Sequence, residues 1–415
     1  MVLKAQLKHK ALETGFDLAG VAPLGIWKDL DFARKWVEQG YGGEMHYLEN
    51  PKRNDPRLVL PSARSVLCVG LIYNAPYPYS TEPVQVSPPK PPGPTQSGEG
   101  SVPRTWISRY AWGNDYHPIM RAKLEELRKA IESLAPGVET RVYVDTGPVV
   151  ERAFARYSGI GWTGKNTCLI NPAKGSWFFL GVVLTSLEIG PDLPAPDRCG
   201  SCTRCLDACP TGALTQPYVM DASRCIAYLN IELKGSIPEQ YRPQIGLNLF
   251  GCDICQDVCP WNRRQPSAIS SPRSAVSSQD FQKGFGRAGA VTTALPEFQP
   301  MGITLSDPTN TGESESSAER APSPARHFSL FNPPIASLAE LGEEDFRRAF
   351  AHSPIKRPKY KGWLRNLCVV MGNSGDRRFV PRLKELARHE DPIVCEHAEW
   401  AIARLSESLT EAGDE

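Results

Sequence analysis

The sequence predicts a chain in three parts: an α/β region, a small module built on cysteines, and an α-helical tail. Three observations carry this. Over the first half, continuous apolar runs alternate with segments of helical period. Eight of the twelve cysteines fall between Cys199 and Cys259. Beyond about residue 326, apolar residues recur three and four apart. The 415 residues leave room for two or three domains, and two low-complexity stretches, 77–103 and 265–325, mark insertions or seams expected to be disordered. The expected division is 1–190 for the α/β domain, 191–264 for the cysteine module and 326–415 for the helical domain.

The first fifteen residues mix Lys and His with Leu and Ala at helical spacing and lack the apolar core and cleavage site of an export signal. No apolar run reaches membrane-spanning length; the best, 177–185, reads as a buried strand. A cytoplasmic protein with no membrane partner is expected. Formal net charge is +1, so any surface for nucleic acid has to be local.

Residues 65–73, Ser-Val-Leu-Cys-Val-Gly-Leu-Ile-Tyr, form the apolar run of a strand buried on both faces. The stretch 77–103 contains Pro-Pro-Lys-Pro-Pro-Gly-Pro and can bury almost nothing. Residues 116–134 predict a helix that stops at Pro136-Gly137. Residues 140–145 alternate as a strand, Thr146-Gly147 turns, and Pro148 opens a helix where its missing N–H costs nothing. Asp145 therefore falls at the carboxyl end of a strand, where α/β sheets gather their ligands, and is a candidate acid or base. The competing reading makes it a cap of the following helix.

Gly159-Ile-Gly-Trp-Thr-Gly-Lys165-Asn166 matches a Walker A loop except that Asn166 replaces the magnesium-binding Ser or Thr. Context rejects it. A P-loop runs from a strand into a helix, whereas this segment leaves a predicted helix at 149–157 and enters predicted strands at 167–170 and 177–185.

The cysteines read Cys199-x2-Cys202-x2-Cys205-x3-Cys209-Pro210, then Cys225, then Cys252-x2-Cys255-x3-Cys259-Pro260. In the bacterial ferredoxin run the first three thiolates bind one [4Fe–4S] cluster and the fourth reaches over to a second. Leu249 occupies the leading position of the second run, and Cys225 supplies the eighth thiolate. One cluster is thus assigned Cys199, Cys202, Cys205 and Cys259, and the other Cys209, Cys225, Cys252 and Cys255. Zinc prefers separated C-x2-C pairs, and disulfides fit poorly in a long chain without an export signal. Cys68, Cys168, Cys368 and Cys395 stand singly among apolar residues and read as small core residues.

In the tail, 363–371, 379–389 and 393–405 predict helices separated by Gly372-Asn-Ser-Gly375 and Glu390-Asp-Pro392. Just before them Lys356, Arg357, Lys359, Lys361 and Arg365 crowd ten residues without an acidic neighbour. Such a run is either a solvated face or a phosphate contact.

These residues resemble the epoxyqueuosine reductase family. The resemblance rests on Lys52-Arg-x-x-Pro56, Trp112-Gly-x-Asp-Tyr-His117, Val144-Asp-Thr-Gly147, Gly159-Ile-Gly161 with Lys165-Asn166, both cysteine runs, Arg224-Cys225, and Arg365-Asn366 in the tail. It implies a nitroreductase-like cobalamin domain of the kind found in reductive dehalogenases, a ferredoxin-like two-cluster domain and a HEAT-like tRNA-binding domain. The implied reaction removes the epoxide oxygen of epoxyqueuosine at the wobble position of tRNA with a GUN anticodon. Electrons would come from an external donor such as ferredoxin or flavodoxin and pass through the clusters to cobalamin.

Residue by residue, the resemblance makes Asp145 the proton donor, with a carboxyl raised by a desolvated ring. It sets Arg53, Ser108, Asp145, Leu169, Leu180, Val183 and Asp253 around the corrin, although core packing accounts equally well for the three aliphatic residues. It also gives the basic residues Lys356, Arg357, Lys359, Lys361 and Arg365 to tRNA. The cobalt-ligating pattern D-x-H-x-x-G is absent, because Asp115-Tyr-His117 runs on to Met120 where glycine is required. Two other classes compete: a corrinoid reductase of a small molecule, which needs no RNA surface, and a bare ferredoxin module, which leaves the first two hundred or so residues without a task.

Overall fold

A computed structural model describes residues 2–82, 102–263, 291–293, 295–305 and 326–407, so most of both low-complexity stretches lies outside the described residues. The chain forms two compact units, one of Met1–Glu82, Asp115–Cys225 and Asp253–Phe298, the other of Pro83–Asn114, Ile226–Cys252 and Gln299–Glu415.

The first unit is built on a four-stranded sheet. Its strands are β1 (Leu18–Pro23), β2 (Ser65–Ile72), β4 (Thr140–Tyr143) and β7 (Phe178–Thr185), in the order β1-β2-β7-β4. Every pairing is antiparallel. All eight residues of β2 are buried, as the continuous apolar run predicts. Helices α1 (Val2–Glu13) and α3 (Tyr116–Leu134) pack against the sheet, as does α4 (Glu151–Tyr157); α2 (Trp27–Glu38) sits alongside, its Trp36 Nε1 donating to the Met220 carbonyl at 2.6 Å. On the α4 side Val66, Cys68, Ile72, Val182 and Leu184 pack with Phe154 and Ala155. On the α3 side Gly181 leaves room for Met120 and Leu124, which a side chain at that position would meet.

Helix α3 has the predicted bounds. Pro148, by contrast, does not open α4. Val149 first drops into the apolar cluster, 2% exposed, and the helix starts at Glu151.

By contacts the cysteine segment is shared between the units, with Ile226–Cys252 in the second and the rest in the first. Its loops carry little apolar surface and fasten by hydrogen bonds to the hairpin of β5 (Trp162–Thr163) and β6 (Leu169–Ile170). Lys165 Nζ donates to the carbonyls of Gly200 (2.7 Å) and Cys202 (3.0 Å), and Asn166 Nδ2 to that of Cys255 (3.1 Å). Buried Asn262 accepts from the Ser176 N–H at 2.7 Å and donates to the Gln256 carbonyl at 2.8 Å. Short helices α5 (Arg204–Asp207) and α7 (Ile254–Asp257) follow the two cysteine turns, while α6 (Arg242–Ile245) belongs to the second unit.

In the second unit β3 (Trp106–Ile107) runs parallel to β8 (Asn248–Phe250), and β9 (Gly302–Leu305) pairs antiparallel with β10 (Arg326–Ser329). These two strands correct two expectations, for the tail is not wholly helical and part of 265–325 is ordered. Low complexity conceals a few large apolar groups there. Phe328 lies opposite Ile303, both under a tenth exposed, and Phe298 is buried in the first unit against Phe179, ring centroids 5.3 Å apart.

Helices α8 (Ile335–Ala339), α9 (Glu343–Ala349), α10 (Lys359–Asn373), α11 (Val380–Leu386) and α12 (Pro392–Glu407) complete the second unit. Every residue of α10 from Gly362 to Gly372 is buried. Gly372 makes this possible, because a Cβ there would come within 2.9 Å of Ala401 on α12. Among the described residues no helix is long and apolar enough to cross a membrane.

Candidate active site and iron–sulfur module

Asp145 lies two residues beyond β4, the edge strand of an antiparallel sheet, so the rule for parallel strand ends is not what places it. A tight turn does. Asp145 adopts φ +53°, the Thr146 N–H reaches the Val144 carbonyl at 2.6 Å, and Gly147 folds back where any Cβ would collide with the Tyr143 ring. A non-glycine residue in this left-handed region is strained, as functional loops often are. The position preceding α4 is Val150, without a side-chain cap, so Asp145 does not cap that helix.

The carboxylate instead meets His117. Asp145 Oδ2 is 3.1 Å from His117 Nε2, and His117 Nδ1 is 2.7 Å from Asp115 Oδ1. Asp115 also accepts from the His117 backbone N–H at 3.1 Å, capping α3 and fixing the ring. Burial disfavours charge on the imidazole, but hydrogen bonds to Asp115 and Asp145 and the charges of both outweigh it and push its pKa up to about 9. At neutral pH His117 is therefore an imidazolium donating to both carboxylates. The expected proton store at Asp145 is thus a pair, with the proton held on the imidazole side. The Asp145 side chain is 54% exposed, open to an incoming substrate.

Glu151 adds a second acid. Burial pushes its carboxyl up to about 8, the Asp145 charge acting in the same direction and Arg53 and Arg152 against it. Its Oε1 is buried with no hydrogen-bond partner among the described residues.

Of the positions expected around a corrin, Arg53 donates to the Gly147 carbonyl at 2.9 Å and so grips the Asp145 turn. Leu169 belongs to the apolar cluster beneath α4, and Leu180 packs against it, partly open together with Tyr143 and Val150. Val183 is corrected to a core residue. It is 0% exposed, and strand alternation turns it to the α3 face, away from Leu180. Ser108, in the second unit, and Asp253, in the first, are buried polar residues, 4% and 1% exposed.

Cys199, Cys202, Cys205 and Cys259 line a single cavity of about 80 Å³, with Lys165, Arg198, Arg204 and Trp261 among its walls. Trp162 closes on Trp261 edge to face, centroids 4.8 Å apart, and with Ile170 forms an apolar shield against Cys199 and Cys259. Burial and neighbouring thiols push Cys205 up to about 11 and Cys259 up to about 12, so packed thiols resist ionising until a cation compensates them. Among the described residues no three metal-ligating side chains gather tightly enough for a single ion. Four sulfurs spread round a cavity fit the larger iron–sulfur cube, whose ligands are thiolates. Of the other set, Cys209, Cys225 and Cys255 lie in the first unit and Cys252 in the second. Cys168 is not a plain core residue, for its sulfur shares a hydrogen bond with Cys255 that draws its thiol below the ordinary value.

A family model for a 4Fe-4S double cluster binding domain matches residues 198–262, and one described as epoxyqueuosine reductase QueG, DUF1730, matches residues 53–146. Epoxyqueuosine reductase of Xanthomonas campestris pv. campestris is 35% identical over 406 residues, covering 96% of this chain and 95% of that one. The enzyme of Pseudomonas aeruginosa is also 35% identical, over 413 residues, covering 98% and 95%. The chain belongs to the epoxyqueuosine reductase family. It is an oxidoreductase. A solved epoxyqueuosine reductase holding an epoxyqueuosine-modified tRNA-Tyr stem loop matches with TM-score 0.73 and 29% identity, covering 99% of this chain and 93% of that one. The Bacillus subtilis epoxyqueuosine reductase, solved with its catalytic aspartate loop swung out of the active site, matches with TM-score 0.73 and 29% identity, covering 100% and 95%.

Among the basic residues that the epoxyqueuosine reductase resemblance gives to tRNA, Arg365 is corrected to a structural role. It is 1% exposed, and its guanidinium donates to the carbonyls of Leu229 (2.9 Å), Leu233 (2.8 Å) and Gly235 (2.8 Å). The run also has acidic partners after all, brought from elsewhere in the chain: Arg357 pairs with Glu232, and Lys361 with Asp391 at 2.7 Å. Lys356 and Lys359 remain exposed, and Lys234 joins them in space, its pKa lowered by burial and by Arg357, Arg365 and Lys359 despite Glu232.

Sequence reading missed His117 as a functional group and Glu151 altogether. Asp-x-His at a helix start was the available sign of the first; a lone Glu opening a helix gives none of the second.

Proposed function

We propose that this chain reduces epoxyqueuosine to queuosine in tRNA bearing a GUN anticodon. The observation that carries the reading is similarity to epoxyqueuosine reductases along nearly the whole chain, a solved member with a modified stem loop among them. Opening an epoxide to an alkene consumes two electrons and two protons and releases water. Asp145 stands exposed on its strained turn, hydrogen-bonded to the His117 imidazolium. The imidazolium, held by Asp115, passes its proton through Asp145 to the departing oxygen, and solvent reprotonates the imidazole to supply the second proton by the same route. The loop that swings in the Bacillus subtilis relative fits a donor poised on such a turn.

The eight cysteines hold two [4Fe–4S] clusters, which when bound supply electrons one at a time. Cobalamin is the acceptor the family resemblance implies. Arg53, Asp145, Leu169 and Leu180 fit one edge of it, an apolar surface partly open at Leu180 and Val150 beside an acid and a guanidinium. When bound, it would bring strongly reducing electrons to the substrate carbon. Lys356, Arg357, Lys359 and Lys234 offer the tRNA phosphates a local basic face on a chain of formal net charge +1. An anticodon loop makes presentation of the base inexpensive, since the wobble base is already unpaired. Cytoplasmic tRNA sets the compartment, and ferredoxin or flavodoxin the reductant.

The test is nucleoside mass spectrometry on epoxyqueuosine-containing tRNA incubated with reduced, reconstituted protein. Wild type is expected to form queuosine. Asp145→Asn is expected to keep its iron and tRNA affinity but turn over about a hundredfold more slowly. Wild-type rates in that variant would remove Asp145 from the chemistry.

A further inference from the structure

The family reading leaves open where electrons enter. The cavity of Cys199, Cys202, Cys205 and Cys259 has its cysteines at or near the surface, three of them half-buried. Three cations line it. Lys165 is committed to the carbonyls of Gly200 and Cys202. Arg198 and Arg204 are exposed, and neither guanidinium makes a hydrogen bond or ion pair among the described residues. Elsewhere in the described residues Arg34, Arg57, Arg128 and Arg378 all hold carboxylate partners.

The acids nearby do not neutralise them. Asp197 accepts from the Cys199 N–H at 2.7 Å and from the Tyr218 hydroxyl, while Asp207 accepts from Thr203 Oγ1 at 2.8 Å. Apolar contact is at hand as well. Tyr218, whose N–H reaches the Lys165 carbonyl at 3.1 Å, is 37% exposed, and Leu193 on the approach to the module is 88% exposed. Unpaired arginines round an apolar centre are what a short-lived electron-transfer contact uses, since such interfaces are small and charge-steered.

We propose that the Arg198–Arg204 mouth of this cavity is the docking surface for an acidic one-electron carrier protein. The proposal rests on the cluster reading of the four cysteines. In each encounter the reduced carrier passes one electron to the cluster and leaves oxidised, and two encounters supply one turnover. No proton moves at this surface.

The test uses the full chain, reconstituted, with flavodoxin hydroquinone as donor and photoreduced deazaflavin, a small carrier-free reductant, as control. Cluster bleaching is followed by stopped flow across a salt series. In Arg198→Glu/Arg204→Glu the bimolecular rate constant with flavodoxin is expected to fall tenfold or more at low salt, the gap closing as salt rises. Deazaflavin reduction, iron content and cluster potential are expected to stay at wild-type values.

Equal flavodoxin rates in variant and wild type overturn the proposal. So does equal slowing with both reductants together with a shifted potential, which makes the arginines counter-charges of the cluster. An unchanged flavodoxin rate with weakened tRNA binding overturns it too, in favour of an RNA contact. Iron and sulfide analysis separates this from failure of the underlying reading: wild type unable to hold a four-iron centre here removes the cluster and the docking surface with it.

Discussion

His117 carries the clearest pH signature in the molecule. Its pKa rises from an ordinary 6.5 to about 9 in the folded chain, so the Asp115–His117–Asp145 contact contributes its full stability below pH 6.5. That contribution is lost as pH climbs from 6.5 to 9. In the proposed reaction the same titration governs proton supply, because the imidazolium is the group that feeds Asp145. Wild-type kcat/KM is therefore expected to fall on an alkaline limb centred near 9. His117→Gln, which keeps a donor but not a titrating one, is expected to slow turnover by roughly ten- to a hundredfold and to lose that limb. An unchanged limb in the variant would assign it to another group. Little of this was legible in the sequence. Asp145 could be singled out from its place after a strand and from the family motif, but its partner lies 28 positions away on a different element. Only the folding of α3 against β4 and β7 brings the two together.

At the scale of elements, α10 separates two roles that a charge run merges. The run from Lys356 to Arg365 is one basic stretch in sequence, but along α10 helical rotation buries Arg365 and leaves Lys359 at the surface. Arg365→Met strips donors from one buried and two part-buried carbonyls and is expected to destabilise the second unit by about 2–4 kcal/mol, read from denaturant midpoints. Lys359→Glu is expected to leave those midpoints almost unchanged while weakening tRNA binding and flattening its salt dependence by about one unit of slope. The reverse pattern would exchange the two roles. Long periodic helices such as α3, α10 and α12 were legible because apolar spacing alone defines them. The short strands β3, β8, β9 and β10 were not. β3 finds its partner only at β8, some 140 residues on, and β9 hides in a Ser- and Pro-rich stretch.

At the scale of the whole molecule, contacts divide the chain into two units, and cysteine loops poor in apolar groups are tied to the first through Lys165, Asn166 and Asn262. The double-cluster segment was nevertheless the most legible part of the chain, since thiolate spacing is itself the chemistry. The central claim couples that module to the Asp145 turn in one reaction, in which two electrons and two protons convert one epoxide to one alkene and water. It is tested most directly by titrating pre-reduced, corrinoid-loaded protein with epoxyqueuosine-containing tRNA under anaerobic conditions, counting electrons lost by absorbance and queuosine formed by mass spectrometry. Two electrons lost for each queuosine formed is the predicted result. Reoxidation without queuosine, or queuosine formed while the clusters stay reduced, would contradict the account.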